Sequence, residues 1–547
     1  MEHYLLIGPN DLTAQLPADK DHQWHYAAPG TVSSLLADLN PKPKLSSKKP
    51  VTKEATNQLK KKKPVVEVEK PRVQNFVGAY FAACPTDADL QALFKYVDSY
   101  RVTCAPAVLK ELKTPLQTDY FKAKVVRPLP LTEWDQIVKW LQTRLFEGQG
   151  GAKLDPSMFE PAPNYRGSLE FNGFLAVELT GDFGTDYQPV GTYRFGGYID
   201  RGRLLKLWSE YSHSEEVKLR MVVYEAPPGN PYTFSKRLVF TEKDMTEQVP
   251  VYDTIPGGSL CITFEAKGQG WLSLGNVHLR WSRYEMGEFL PGGGRIVDHD
   301  RTEVNYYFNP GDLKPPLNVY FSGYRTAEGF EAFYMMRSFG APFLLFADPR
   351  IEGTAFYLGS PEFETQIKER ILKTLAWLGF DHHQLNTSGL SAGTFGALYY
   401  GSQLGAHSII VGKPLVNLGN VAQCEQSVRY GGGFATSLDI INKYTTRKAQ
   451  LAGRKQMVKT MNERFWSKFD QTALNQTQLM LTYMRQDDYD NKAYHDLLVH
   501  LAQTGKHPYV IGRGLDGHHN DAGYETVAWL KKQYWTMMER DFDRRKQ

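Results

Sequence analysis

The 547-residue sequence predicts an α/β protein in which two regions of alternating strand and helix, 1–160 and 300–547, flank an all-β stretch at 161–290. Three observations carry this reading. The C-terminal region repeats short apolar runs followed by amphipathic helical patterns, which implies a mainly parallel, doubly wound sheet covered on both faces. The middle region has short alternating runs punctuated by turn dipeptides, as in a β-sandwich. Finally, a chain of this length, at roughly 150 residues per domain, has room for about three cores.

The first region, an N-terminal α/β domain, opens with the strand-like Tyr4-Leu-Leu-Ile7 and resumes with the apolar run Phe76–Ala82. Helices are predicted over Asp87–Val97, starting at the cap-like Thr86-Asp87, and over Glu133–Phe146. Within it lies a lysine-rich insertion, 41–71. Residues 41–70 hold ten lysines against three glutamates, a local charge of +7 in a chain whose total is +4. The rest of the chain is therefore slightly acidic, and a nucleic-acid or anionic-membrane partner has to rest on this one stretch. Its five prolines and scattered apolar residues cannot bury enough surface to offset ordering entropy, so a disordered, solvated insertion is expected, with an anionic membrane surface as the alternative partner. Nucleic acid is not expected as a partner.

The sandwich region shows alternating runs at Phe174–Leu179, Lys218–Tyr224, Gly258–Phe264 and Trp271–Trp281, with Pro228-Gly229 and Pro256-Gly257 as turns. Its aromatics (Tyr187, Tyr193, Tyr198, Trp208, Tyr211, Trp271 and Trp281) suit either core and cross-strand packing or stacking on sugar rings, so the domain is also read as carbohydrate-binding-like.

The third region follows a Gly-rich link, Pro291–Arg295. It reads as strand Leu317–Phe321, helix Glu328–Phe339, strand Phe343–Phe346, helix Glu362–Leu378, a strand into Gly389, helix Gly393–Gly405 and strand Ser408–Val411. After a less regular stretch, about 419–470, the order resumes with strand Gln478–Met484, helix Asn491–Gln503, strand His507–Gly512 and helix Asp521–Arg540.

Gly389-Leu-Ser391-Ala-Gly393 stands where a predicted strand turns into a Gly/Ala-rich helix, the pattern of a nucleophile elbow. Small flanking residues let the backbone turn sharply and leave the serine hydroxyl at the helix start. A serine hydroxyl needs an imidazole to take its proton and an acid to orient that imidazole, in the chain order Ser, acid, His. Three carboxylates, Asp487, Asp488 and Asp490, follow the strand Gln478–Met484. Asp488 and Asp490 would point the same way in extended chain, so either can accept from the imidazole, or one can merely cap the following helix. His518 and His519 lie in the polar loop after the last strand, and His519 is favoured because it is nearer the capping Asn520-Asp521. An oxyanion hole needs two backbone N–H groups, for which Ala392, after the serine, and Gly323, after the strand Leu317–Phe321, are the candidates; ordinary turn chemistry also explains Gly323.

Other chemistry is not indicated. The four cysteines are widely spaced, as reduced cytosolic thiols would be. The histidine pairs lack metal-ligand spacing, and neither a phosphate-binding loop nor a dinucleotide fingerprint is present, so no metal and no tightly bound nucleotide or other cofactor is expected. No signal peptide and no 18-residue apolar run is seen, and a cytoplasmic protein, at most peripheral to the membrane, is expected.

The stretches Leu317–Arg325, Gly389–Gly401, Ile409–Gly419 and Gln486–Asp490 resemble the second accessory secretory protein family of the accessory Sec system, which exports serine-rich-repeat adhesins in Gram-positive bacteria. The resemblance is dense over 300–547 and loose over 1–160, where the lysine insertion departs from it. It implies an α/β-hydrolase-like domain that O-acetylates N-acetylglucosamine on the adhesin through a Ser, acid and His triad. By motif the serine is Ser391 and the histidine is His519; the family's acid can be glutamate, whereas this region offers only aspartates. It further implies a complex with the other accessory secretory proteins and the motor ATPase, acting on glycosylated adhesin at the cytoplasmic membrane face. The acetyl donor is not legible, acetyl-CoA being the candidate. A non-catalytic export adaptor and a plain carbohydrate esterase are the alternative functions.

Overall fold

A computed structural model describes residues 1–40, 75–193, 196–200, 202–230, 233–252, 255–351, 354–422, 437–446, 448 and 451–545. The lysine-rich insertion lies outside the described residues. The chain divides into two compact units, Met1–Glu147 and Gly148–Gln547.

The first unit is a five-stranded parallel sheet, in the order β2-β1-β3-β4-β5, formed by β1 (Glu2–Ile7), β2 (His22–Ala27), β3 (Gly78–Phe81), β4 (Val102–Cys104) and β5 (Arg127–Pro128). Tyr4, Leu5, Leu6 and Ile7 are all buried, so β1 is covered on both faces, as a central parallel strand must be. Helices α1 (Val32–Leu39), α2 (Asp87–Leu93) and α3 (Pro115–Lys124) connect successive strands from β2 to β5, and α4 (Trp134–Arg144) follows β5. The expected start at Thr86 is a capping box, in which the Thr86 side chain accepts from Asp89 N and the Asp89 carboxylate accepts in return.

The second unit begins with two packed antiparallel sheets. One has the order β13-β12-β15-β10-β7 and the other β14-β11-β16-β9-β8 with β6 beside β16. Their strands are β6 (Gly151–Leu154), β7 (Phe159–Pro161), β8 (Ser168–Asn172), β9 (Ala176–Asp182), β10 (Gln188–Tyr193), β11 (Leu205–His213), β12 (Lys218–Ala226), β13 (Lys236–Thr241), β14 (Val249–Val251), β15 (Ser259–Lys267) and β16 (Gln269–Trp281). Alternating inward residues such as Leu219, Met221, Val223, Ile262, Phe264, Leu272 and Leu274 build their common core. Among the aromatics singled out in the sequence, Tyr193 and Trp208 are core residues, while Tyr198 and Trp271 are exposed.

The remainder is an eight-stranded sheet in the order β17-β18-β20-β19-β21-β22-β23-β24. Its strands are β17 (Gly293–Val297), β18 (Glu303–Asn309), β19 (Leu317–Phe321), β20 (Phe343–Ala347), β21 (Leu385–Leu390), β22 (Ser408–Gly412), β23 (Gln478–Met484) and β24 (Tyr509–Leu515). The β17/β18 and β18/β20 pairs are antiparallel and every later pair is parallel. The glycines expected to form a link are thus largely an edge strand. α5 (Phe333–Phe339), α6 (Pro361–Leu378) and α7 (Gly393–Gln403) are the crossover helices that place the strand ends discussed below. Helix α5 starts five residues later than its periodicity suggests, because Gly329 and Ala332 adopt positive φ (131° and 62°) and the Glu328 and Glu331 side chains are spent on other partners.

Candidate active site

Strand β21 stops at Leu390 and α7 begins at Gly393, so Ser391 sits on a two-residue turn at the C-terminal edge of the parallel sheet. Its φ is +52°, a left-handed conformation that a residue with a Cβ adopts only where its surroundings impose it. The flanking glycines are required sterically. A Cβ on Gly389 would lie 2.4 Å from the Gly393 carbonyl oxygen, and one on Gly393 would lie 2.1 Å from that of Phe321. The elbow is therefore pressed against the end of β19.

The Ser391 Oγ lies 2.7 Å from His519 Nε2, and His519 Nδ1 lies 2.8 Å from Asp487 Oδ2. With Nδ1–H donating to the carboxylate, Nε2 is left to accept the serine proton. His519 and Asp487 are 2% and 6% exposed, so water competes little for either bond. Burial alone would raise the Asp487 carboxyl; the hydrogen bond and charge of His519, and the N–H groups of Tyr489 and Asp490, outweigh it and hold it below the usual range. The Tyr489 ring stands edge-on to the imidazole with centroids 4.5 Å apart. Lys413 donates from Nζ to the Asp521 carbonyl at 2.6 Å, tying the histidine loop to the end of β22.

The acid on the imidazole is thus Asp487, not Asp488 or Asp490. The alternation assumed for extended chain does not apply, because the backbone turns as β23 ends: Asp487 N–H bonds back to Met484 O. Asp488 instead accepts from the His519 backbone N–H at 3.0 Å. Asp490 accepts from Val416 N, Asn417 N and Asn417 Nδ2 at 2.9, 2.7 and 3.0 Å, and burial pushes its carboxyl up to about 6. The usable sequence signal for Asp487 was its position as the first carboxylate beyond β23. His518 is exposed, and its backbone N–H is held by Asp521.

Of the two oxyanion-hole candidates, Ala392 stands at the start of α7, where helix N–H groups have no intrahelical acceptor. Gly323 is packed against the elbow, since its Cβ would lie 2.8 Å from the Leu390 carbonyl oxygen. Its N–H, however, donates to Glu331 Oε2 at 2.9 Å.

No functional reading of the sequence anticipated the support of this loop. Glu328 is buried between His278, through Nδ1, and Arg280, whose Nε lies 2.6 Å away; both come from sandwich strand β16. Glu210 of β11 accepts from the other ring nitrogen of the same imidazole, Nε2, at 3.2 Å. Burial would push His278 down, but the charges and hydrogen bonds of the two glutamates push it up to about 9. A groove of about 830 Å³ opens elsewhere, around His383, His407 and Thr477, at the starts of β21, β22 and β23 and so at the opposite end of the sheet from Ser391. Among the described residues no group of three or more His, Cys, Asp or Glu could hold a metal ion, and no helix is long and apolar enough to cross a membrane.

The sheet order and the Ser391–His519–Asp487 relay define a protein with an α/β-hydrolase-like fold and a serine, histidine and aspartate in hydrogen-bonded series. The family model described as the accessory Sec system GspB-transporter matches residues 3–544, and the chain belongs to that family. It is 38% identical over 430 residues to the accessory Sec system protein of this family from Staphylococcus aureus (strain NCTC 8325 / PS 47), covering 78% of this chain and 80% of that one. It is 37% identical over 427 residues to the protein of the same description from Streptococcus gordonii, covering 78% and 82%. Among solved structures, a chain of the Glycosylation Associate Protein (Gap123) complex from Streptococcus agalactiae matches with TM-score 0.82 and 32% identity over 100% of this chain and 99% of that one.

Proposed function

We propose that this accessory Sec component is also an acyltransferase that moves an acetyl group onto a sugar hydroxyl of glycosylated serine-rich-repeat adhesin, the N-acetylglucosamine residues being the acceptor. The observation that carries the reading is the relay of 2.7 and 2.8 Å bonds from Ser391 through His519 to Asp487 on a strained elbow. Ser391 Oγ adds to the donor's acyl carbon as its proton passes to His519 Nε2, and the carbonyl electron pair moves onto oxygen, facing the Ala392 N–H. The intermediate collapses, the leaving group takes the proton from His519, and acyl-Ser391 remains. The sugar hydroxyl then loses its proton to His519 and attacks the acyl carbon, and collapse of this second intermediate breaks the bond to Oγ, which takes the proton back from His519 Nε2 as the new ester departs and Ser391 is restored. Asp487 holds the imidazole in the required tautomer and balances its charge in both halves. Acetyl-CoA is the proposed donor, a co-substrate rather than a resident cofactor.

The protein is further proposed to work in a complex with the other accessory secretory proteins and the motor ATPase at the cytoplasmic membrane face. What supports this is family membership and the solved relative's being part of a Gap123 assembly. Mass spectrometry of adhesin glycans from cells carrying wild type or Ser391→Ala tests the chemistry: acetylation should be lost, and normal acetylation in the variant would sink the proposal. Export of unacetylated adhesin by the variant would separate the transport role from the catalytic one.

A further inference from the structure

Acyl transfer needs two N–H groups on the developing oxyanion, and the end of β19 offers few. The Ser322 N–H bonds to the Phe346 carbonyl at 2.9 Å in the sheet, and the Gly323 N–H is held by the Glu331 carboxylate at 2.9 Å. Glu331 is itself held in place. Its backbone N–H donates to Ser322 Oγ at 3.1 Å, its carboxylate also meets the Tyr320 hydroxyl, and the next residue, Ala332, is locked at φ +62°. Arg325, the cation of this loop, is spent on the Phe330 carbonyl at 2.7 Å and does not neutralise the carboxylate by direct contact. A single N–H donates fully to one acceptor, and a carboxylate is a strong one.

We propose that Glu331 is a positioning residue that keeps the oxyanion hole half-formed by holding the Gly323 N–H, and that this N–H becomes available for acyl transfer only when Glu331 is turned away. The proposal rests on the reading of Ser391 as the acyl-accepting serine. Its consequence is protection: a resting site with one free donor spends less acyl donor on water before an acceptor arrives.

The test is the rate at which a fluorophosphonate probe labels Ser391 in the full chain, where Oγ bonds to phosphorus, fluoride leaves and His519 takes the proton. One oxyanion donor is commonly worth about 10²–10³ in rate. Glu331→Ala should therefore label at least ~10-fold faster than wild type, and the nearly isosteric Glu331→Gln, a weaker neutral acceptor, should fall between them. p-Nitrophenyl acetate hydrolysis should rise in the same order through kcat, with KM little changed. Equal or slower labelling in Glu331→Gln with an unaltered melting transition would overturn the proposal. Labelling or hydrolysis that persists in Ser391→Ala would instead count against the serine reading itself, so the two failures are distinguishable.

Discussion

Replacing Asp487 with Asn is the sharpest probe of the site, because the structure assigns its two carboxylate oxygens different work. Oδ2 takes the His519 Nδ1–H at 2.8 Å, and Oδ1 takes the N–H groups of Tyr489 and Asp490 at 2.8 and 3.1 Å. In Asp487→Asn the amide oxygen is best kept by the two backbone donors, which turns the NH₂ group toward His519. Nδ1 must then accept, the imidazole proton moves to Nε2, and Ser391 loses its base although every heavy atom stays in place. Loss of tautomer and of charge balance in such a relay costs about 10⁴ in rate, or ~5.5 kcal/mol at 1.36 kcal/mol per tenfold. Fluorophosphonate labelling of Ser391 measures it, with the melting transition as a check on folding. Asp490→Ala should behave oppositely. It strips Val416 N and Asn417 N of their acceptor, at roughly 1–3 kcal/mol for each buried donor left unpaired, while Asn417 Nδ2 keeps Asp496 Oδ2 at 3.1 Å, so stability falls while folded molecules still label. Near-wild-type labelling by Asp487→Asn, together with a collapse in a folded Asp488→Asn, would refute the assignment.

Two further outcomes follow from packing and charge. Gly393→Ala places a methyl 2.1 Å from the Phe321 carbonyl oxygen, and denaturant titration should show a loss of roughly 1–3 kcal/mol, with the elbow displaced and labelling slowed. His278 is raised to about 9 by Glu328 and Glu210, so the folded state holds a proton that the unfolded state releases near pH 6.5. Its contribution is full below pH 6.5 and is lost as pH rises toward 9, about 3 kcal/mol if the whole shift is expressed; a pH-stability series in which His278→Gln keeps the same slope over that window would contradict this.

The parts of the fold legible in the sequence are those in which one local pattern decides the outcome. Ser391 could be placed because an elbow needs glycines at both 389 and 393, and the parallel strands because strands buried on both faces read as continuous apolar runs. His519 was reached from chain order together with its neighbours Asn520-Asp521. What escaped depended on backbone direction or on distant partners. The choice among Asp487, Asp488 and Asp490 turns on where β23 ends, which residue spacing does not encode. The apparent helical start at Glu328 is overridden by Gly329 and Ala332 at positive φ and by partners 48–50 residues away in sequence, His278 and Arg280. The glycines at 293–294 read as a link, yet they pair with Tyr306 and Tyr307 as an edge strand.

Those distant partners give the sandwich a role that neither its aromatics nor its charge suggested. The loop from Ser322 to Ala332 carries Gly323 at one end and Glu331 at the other, and between them Glu328 is gripped by two side chains of β16. Gln149, just before β6, adds a second hold by accepting from Phe330 N at 2.7 Å. Removing one partner from a buried ion pair costs more than the pair contributes, because the remaining charge is left uncompensated. The loop therefore cannot drift from β16 without exposing His278 and Arg280 to that cost. Any movement that frees the Gly323 N–H is consequently confined to residues on either side of the Glu328 anchor, within a segment of about ten residues whose two ends meet at the elbow. On this geometry the sandwich fixes where the loop can pivot.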